Sequence, residues 1–279
     1  MNAPVASCAV TKFDPLPQVV EDLVVVEEPL ELRVGFGPAD ERQQTSLAVT
    51  MRTPGNDLEL ALGFLLSEQI VRGPEEVRSI QPCRGADADA HSGDALRIEL
   101  APGVAFDPRR IARHFAIASS CGICGKATLA SVRAELDPLP PLSAPIAIEA
   151  IRRAPALLRA RQPLFHATGG LHAAGLFDAR GELLLLREDV GRHNALDKLI
   201  GAACANDAHP FEDRFVLVSG RACFELVQKC AAVGASILAA VGAPSSSAIA
   251  LARELDLALL GFVRPDSLNL YTAPERLRP

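Results

Sequence analysis

From residue 166 onward the chain alternates short apolar runs with stretches of helical spacing, and few folds can absorb that rhythm. Residues 166–177 and 182–187 read as strands joined by a turn at Asp178-Ala179-Arg180-Gly181. A helix is expected over 193–205, a strand over 214–219 and a helix over 222–233. A strand over 236–241, a helix over 246–255 and a strand over 257–263 close the series. Strands separated by helices of this length predict a mostly parallel, right-handed α/β sheet.

Ahead of that region the pattern differs. Residues 1–21 are rich in Pro and small residues and read as a flexible arm. Residues 22–112 read as a smaller α+β domain. Its strands are expected over 28–34, 45–52, 76–82 and 95–100, with a polar hairpin loop over 84–94. The apolar residues Leu58, Ala61, Leu62, Leu65 and Leu66 recur at helical spacing, so a helix is expected over 58–71 with Asp57 as its N-cap. Residues 113–145 hold the prolines 138, 140, 141 and 145 and read as a linker. The second domain spans 146–279 and opens on a helix over 146–161. The arginines 152, 153, 159 and 161 of that helix read as a solvated face.

Composition limits what such a chain does. At 279 residues and 49% hydrophobic, it can bury a sizeable core. A net charge of −6 argues against the basic face that a nucleic-acid partner would need. Residues 1–17 lack the apolar run of a secretory signal. The longest apolar stretch, 231–244, is interrupted by Gly234, Ser236 and Gly242 and is too short to span a bilayer. Seven cysteines at irregular spacing fit a reducing compartment better than a disulfide framework. The expectation is a cytoplasmic protein with no membrane partner.

In a parallel α/β sheet, ligands bind beyond the carboxyl ends of the strands. Four such ends can be read: Glu188 to Asn194, Ser219-Gly220-Arg221, Ala243 to Ser247, and Arg264-Pro265-Asp266-Ser267. The first three open helices, whose free N–H groups attract anions. Arg192, Arg221 and Arg264 add guanidinium forks that grip phosphate. Together these loops read as a site for a large phosphate-bearing ligand, although each loop taken singly is ordinary turn chemistry. His193 and Asn194 are not needed to start a helix. Asp197 and Lys198, one turn on, either contact a base or ribose or pair with helix neighbours.

The only close cysteine pair is Ser120-Cys121-Gly122-Ile123-Cys124-Gly125-Lys126. A zinc site would need two more ligands, and only a dimer could supply a second pair. A thioredoxin-like pair belongs at a helix start within a βαβ pattern, not in a glycine-flanked linker. A persulfide carrier needs an exposed thiolate that can visit two sites, and Lys126 would help to ionise it. Cys204 and Cys230 read as buried small hydrophobes. Cys223 starts a helix at a strand end and is a lesser candidate for chemistry.

These residues carry a resemblance to the FdhD/NarQ family. The matching segments are Glu28-Pro29-Leu30, Ser46 to Gly55, Leu62-Gly63-Phe64-Leu65, Ser120 to Gly125 and Thr168-Gly169-Gly170-Leu171-His172. They continue with Glu188-Asp189-Val190-Gly191-Arg192-His193-Asn194-Ala195-Leu196-Asp197-Lys198, Ser219-Gly220-Arg221-Ala222 and Gly261-Phe262-Val263-Arg264. The resemblance implies a sulfurtransferase. It would take persulfide sulfur from a cysteine desulfurase and pass it to bis-molybdopterin guanine dinucleotide before that cofactor enters formate dehydrogenase. Cys121 would carry the sulfur and Cys124 would assist or resolve. The dinucleotide, with GDP or GMP as mimics, would sit on Arg192, His193, Asn194, Asp197, Ser219, Gly220, Arg221 and the loop Phe262-Val263-Arg264-Pro265-Asp266-Ser267. The resemblance also implies a homodimer, no resident metal, and a cytidine-deaminase-like three-layer α/β second domain. Zinc deaminases need H-x-E and P-C-x-x-C; here His172-Ala173-Ala174 and Ser219 to Cys223 lack the Glu and the paired cysteines. A non-catalytic cofactor chaperone is the alternative reading.

Overall fold

The computed structural model describes residues 3–83, 94–108 and 136–279. The cysteines 121 and 124, and most of the expected linker and of the 84–94 loop, lie outside the described residues.

The expected loose arm contains a two-stranded antiparallel hairpin, β1 (Val5–Phe13) with β2 (Pro17–Val25). Its β-branched residues Val5, Val10, Thr11, Val19, Val20, Val24 and Val25 favour the extended chain, and its proline content hid that signal. A four-stranded sheet follows in the order β4-β3-β6-β5. These strands are β3 (Glu28–Phe36), β4 (Gln43–Arg52), β5 (Val77–Pro82) and β6 (Asp94–Leu100). Alternate residues Leu30, Leu32 and Val34 of β3 and Leu96, Ile98 and Leu100 of β6 face inward, as period-2 patterning requires. Against this face lies helix α1 (Asp57–Ser67). Its N-cap is Asn56, in the left-handed conformation at φ 58°, rather than Asp57. Asp57 is instead drawn to Arg52, whose Nε and Nη2 donate to its two carboxylate oxygens, each at 3.0 Å.

The second half opens on a two-residue strand, β7 (Ile146–Ala147), and helix α2 (Ile148–Ala160). Residues 166–171 do not join a strand. A short helix, α3 (Pro163–Thr168), starts at Pro163 and stops at Gly169. Proline suits a first helical position, and glycine suits the left-handed residue that follows a last turn. The principal sheet has six strands in the order β13-β12-β11-β10-β8-β9. They are β8 (His172–Asp178), β9 (Leu183–Asp189), β10 (Arg214–Val218), β11 (Ile237–Ala240), β12 (Ala258–Gly261) and β13 (Asn269–Leu270). Helices α4 (Arg192–Cys204), α5 (Phe224–Ala232) and α6 (Ser246–Glu254) connect them. A last short strand, β14 (Leu277–Arg278), pairs with β7.

The sheet is mixed rather than mostly parallel. Only the β10–β11 and β11–β12 junctions are parallel. The turn after Asp178 is too short for a crossover helix, so β8 and β9 form a hairpin, and β10 then adds antiparallel to β8. Asn269–Leu270 adds an antiparallel edge. One face of this sheet shares a continuous apolar cluster with the first half of the chain, while the other packs on α2.

The two halves meet at a helix crossing with no room for side chains. A Cβ placed on Gly63 of α1 would stand 1.8 Å from the Asp197 carbonyl oxygen, and one on Gly201 of α4 would stand 1.9 Å from that of Glu59. Glycine is required at both positions by this close approach. The crossing fixes where the start of α4 sits, and that start carries the candidate site.

Candidate functional site

The segment Glu188 to Lys198 ends β9, turns, and begins α4. Its residues divide into two groups. Asp189 is fully buried: it accepts from the Thr53 N–H at 3.1 Å, from the Gly191 N–H at 2.8 Å and from Lys198 Nζ at 2.7 Å. Lys198 also donates to the Thr53 carbonyl at 2.8 Å. Asn194 donates to the Met51 carbonyl at 2.8 Å and accepts from Thr50 Oγ1 at 3.1 Å. Asp197 is 2% exposed; it accepts from Ser67 Oγ at 2.7 Å and from Lys229 Nζ at 3.0 Å. Lys229 reaches Glu68 as well, at 2.7 Å. Burial alone would lower the Lys229 pKa, but Asp197 and Glu68 raise it, so the ammonium stays charged. Asn194 and Asp197, both in the expected ligand set, are thus buried among these partners. Their side chains clasp the first half of the chain to the second.

Arg192 and His193 belong to the other group and lie at the sheet edge, partly exposed. The edge is laced together by backbone hydrogen bonds between successive loops. Gly242 donates to the Gly220 carbonyl at 2.9 Å, Ser245 to that of Ala222 at 2.9 Å, and Phe262 to that of Gly242 at 3.1 Å. Ser219, Gly220, Arg221, Phe262, Arg264, Pro265, Asp266 and Ser267 thus come to one rim. Ser219 Oγ is already engaged, accepting from the Ala173 N–H at 2.9 Å. Phe262 is exposed and holds a left-handed φ of 53°. Arg264 donates to the Val241 carbonyl at 2.8 Å, which pins the last loop to the strand before it. Val263 is a correction: its side chain is fully buried in the cluster on the opposite face, so only its backbone borders the rim. Arg221 and Arg264 are exposed and leave the rim cationic.

Sequence reasoning gave little weight to a neighbour of this rim. Cys223, at the N-cap of α5, places Sγ 3.3 Å from His193 Nε2, and Glu225 Oε2 lies 2.7 Å from the same nitrogen. Among the described residues, these three donor atoms lie within 4.8 Å of one another. Burial would push the imidazole pKa down, but the bonds to Cys223 and Glu225 raise it to about 9. Burial would push the Cys223 thiol up, yet His193, the Leu226 N–H and Arg192 together hold it below the ordinary thiol range. The hydrogen bond from His193 keeps the Glu225 carboxyl low. His172, near Gly220, has its pKa lowered by burial and by the charges of Arg192 and His193. The arrangement holds a thiol of lowered pKa against a histidine of raised pKa at the N-cap of a helix. The signal available in sequence was Cys223 at a strand end; its pairing with a histidine thirty positions away is tertiary. Cys230 is fully buried and its thiol is pushed up by burial, and burial also takes Cys204 to about 11. No helix among the described residues is long and apolar enough to cross a membrane.

Known proteins share this sequence and this fold. The FdhD/NarQ family pattern matches residues 25–278. A Mycolicibacterium paratuberculosis protein named sulfur carrier protein FdhD is 47% identical over 259 residues, 92% of each chain. A Nocardia farcinica protein of the same name is 46% identical, over 92% of this chain and 89% of its own. The crystal structure of a Desulfotalea psychrophila protein described as a formate dehydrogenase accessory protein superposes with a TM-score of 0.74 at 23% identity. That match covers 99% of this chain and all of the other. Matched across both halves and close to half identical to such relatives, the chain belongs to the FdhD/NarQ family.

Proposed function

We propose that this chain is a sulfurtransferase that serves the maturation of formate dehydrogenase. It takes sulfane sulfur from a cysteine desulfurase onto Cys121 and passes it to the molybdenum of bis-molybdopterin guanine dinucleotide, here a substrate. Cys124 assists. The protein works in the cytoplasm as a homodimer. Family membership and the names of the relatives support the sulfur-carrying part. The observation that carries the ligand part is the rim, where the loops after β10, β11 and β12 are laced together beneath exposed Arg221 and Arg264. Guanidinium groups and free helix N–H groups are the donors that a pyrophosphate seeks. The sheet order, with a β8–β9 hairpin beside three parallel strands, supports the cytidine-deaminase-like description of this half.

The test has two arms. After incubation with cysteine and an active desulfurase, mass spectrometry should find one added sulfur atom on the Cys121 peptide; its absence would sink the transfer reading. If the protein is a non-catalytic chaperone, Cys121→Ala will leave cellular formate dehydrogenase activity intact. In the second arm GDP should bind, and Arg221→Ala should weaken binding about tenfold, or about 1.4 kcal/mol.

A further inference from the structure

Cys223 is placed where a nucleophile would be placed. Its Sγ sits at the N-cap of α5, at the positive end of that helix, 3.3 Å from His193 Nε2. Arg192 lies beside it, with its Nε buried and unpartnered. Glu225 at 2.7 Å holds the His193 ring against the sulfur. The rim loops adjoin directly, since Ala222 donates to the Ala243 carbonyl at 3.2 Å and bridges to Pro244. A structural cysteine needs none of these partners; Cys230, on the same helix, is enclosed in the core.

We infer that Cys223 is a second sulfur-accepting cysteine, whose thiolate takes a sulfane sulfur from a persulfide or polysulfide at the rim. This deepens the sulfur-carrying proposal and rests on it for its biological donor. In the step, the Cys223 thiolate attacks the outer sulfur of R–S–SH. The new Sγ–S bond forms, the donor's S–S bond breaks, and the departing thiolate takes the persulfide proton and leaves as R–SH. The Cys223 persulfide anion keeps the His193 imidazolium as its partner. Sulfane sulfur moves from one thiol to another, so the step needs no oxidant or reductant. A divalent cation on the same three donors is the competing reading. His193 Nε2, the nitrogen that would bind a metal, is faced by both Glu225 and Cys223 at hydrogen-bond distance, and Arg192 adds positive charge beside the sulfur, so the geometry favours the ion pair.

The test uses the full chain and inorganic polysulfide as donor, with excess removed before mass spectrometry of each cysteine peptide. In Cys121→Ser/Cys124→Ser protein, Cys223 should gain one sulfur atom while Cys230 gains none. His193→Gln should slow that gain at neutral pH by about tenfold or more, and the deficit should close at alkaline pH, where any thiol ionises. Loading of Cys8 and Cys83 as fast as Cys223, or an unchanged rate in His193→Gln, overturns the inference. So does stoichiometric metal in the purified protein that is lost in Cys223→Ser. With the desulfurase as donor, wild-type sulfur should appear first on Cys121 and then on Cys223. Sulfur that stays on Cys121 overturns the relay and leaves the carrier proposal standing. Polysulfide loading of Cys223 with no desulfurase loading of Cys121 overturns the carrier proposal instead.

Discussion

The sheet rim and the buried plane between α1 and α4 are built from one run of sequence and have opposite chemistry. At the rim, Arg192 and His193 stand with Arg221 and Arg264, partly or fully exposed. A few residues along, Asp189, Asn194, Asp197 and Lys198 lie in the interior with partners from Thr50, Met51, Thr53, Ser67 and Lys229. Those partners come largely from the other long matching segment, Ser46 to Gly55. The two long matching segments are therefore the two sides of one clasp. A motif can be specific because it holds the protein together next to a site, and only some of its members need touch a ligand.

Four tests would break or sharpen this contrast. Gly63→Val places a side chain where the Asp197 carbonyl lies, so the helices must part. The expected loss exceeds about 3 kcal/mol, or no soluble protein at all; an unchanged urea midpoint would show that the crossing is not what joins the halves. Lys229→Met strands a buried Asp197 carboxylate. A cost of about 3–5 kcal/mol is expected, with much of it recovered in Lys229→Met/Asp197→Leu, and urea titration of both variants checks this. Arg221→Ala, by contrast, should leave stability within about 0.5 kcal/mol while weakening GDP by about tenfold; calorimetry separates the two. The smallest effect concerns protons. Iodoacetamide modification of Cys223 should fall off at a lower pH than that of an ordinary thiol, which slows about tenfold per unit below its pKa. His193→Gln should restore the ordinary slope. Stability by urea titration should fall as pH rises from the ordinary histidine value of 6.5 toward about 9, where His193 titrates in the fold, with the lowered Cys223 thiol offsetting part of that loss.

Much of the architecture was legible in the sequence. Period-2 runs located β3, β4, β6, β9 and β10, and helical spacing located α1 and α4. The rim was legible because turn chemistry at strand ends is local. What escaped was short or non-local. Helix α3 carries Leu164 and Phe165 next to a strand and merges with it unless Pro163 and Gly169 are read as its ends. The mixed sense of the sheet depends on which side of β8 receives β10, and no local pattern states that. Asn194 and Asp197 look accessible beside His193 until β4 bonds the first and α1 the second. Cys223 gains its character only when α4 and α5 lie side by side.

The Gly63–Gly201 crossing also bears on how this protein can be cut and recombined. A proline-rich connection between two halves looks like a natural point at which to divide a chain and express its parts. Here each part would be left with a bare backbone stripe on one helix and with one partner of the broken Glu68–Lys229 and Glu59–Arg187 ion pairs. Neither half is a portable module, and a chimera that exchanges one of them must bring both glycines and the polar plane beneath them from the same parent.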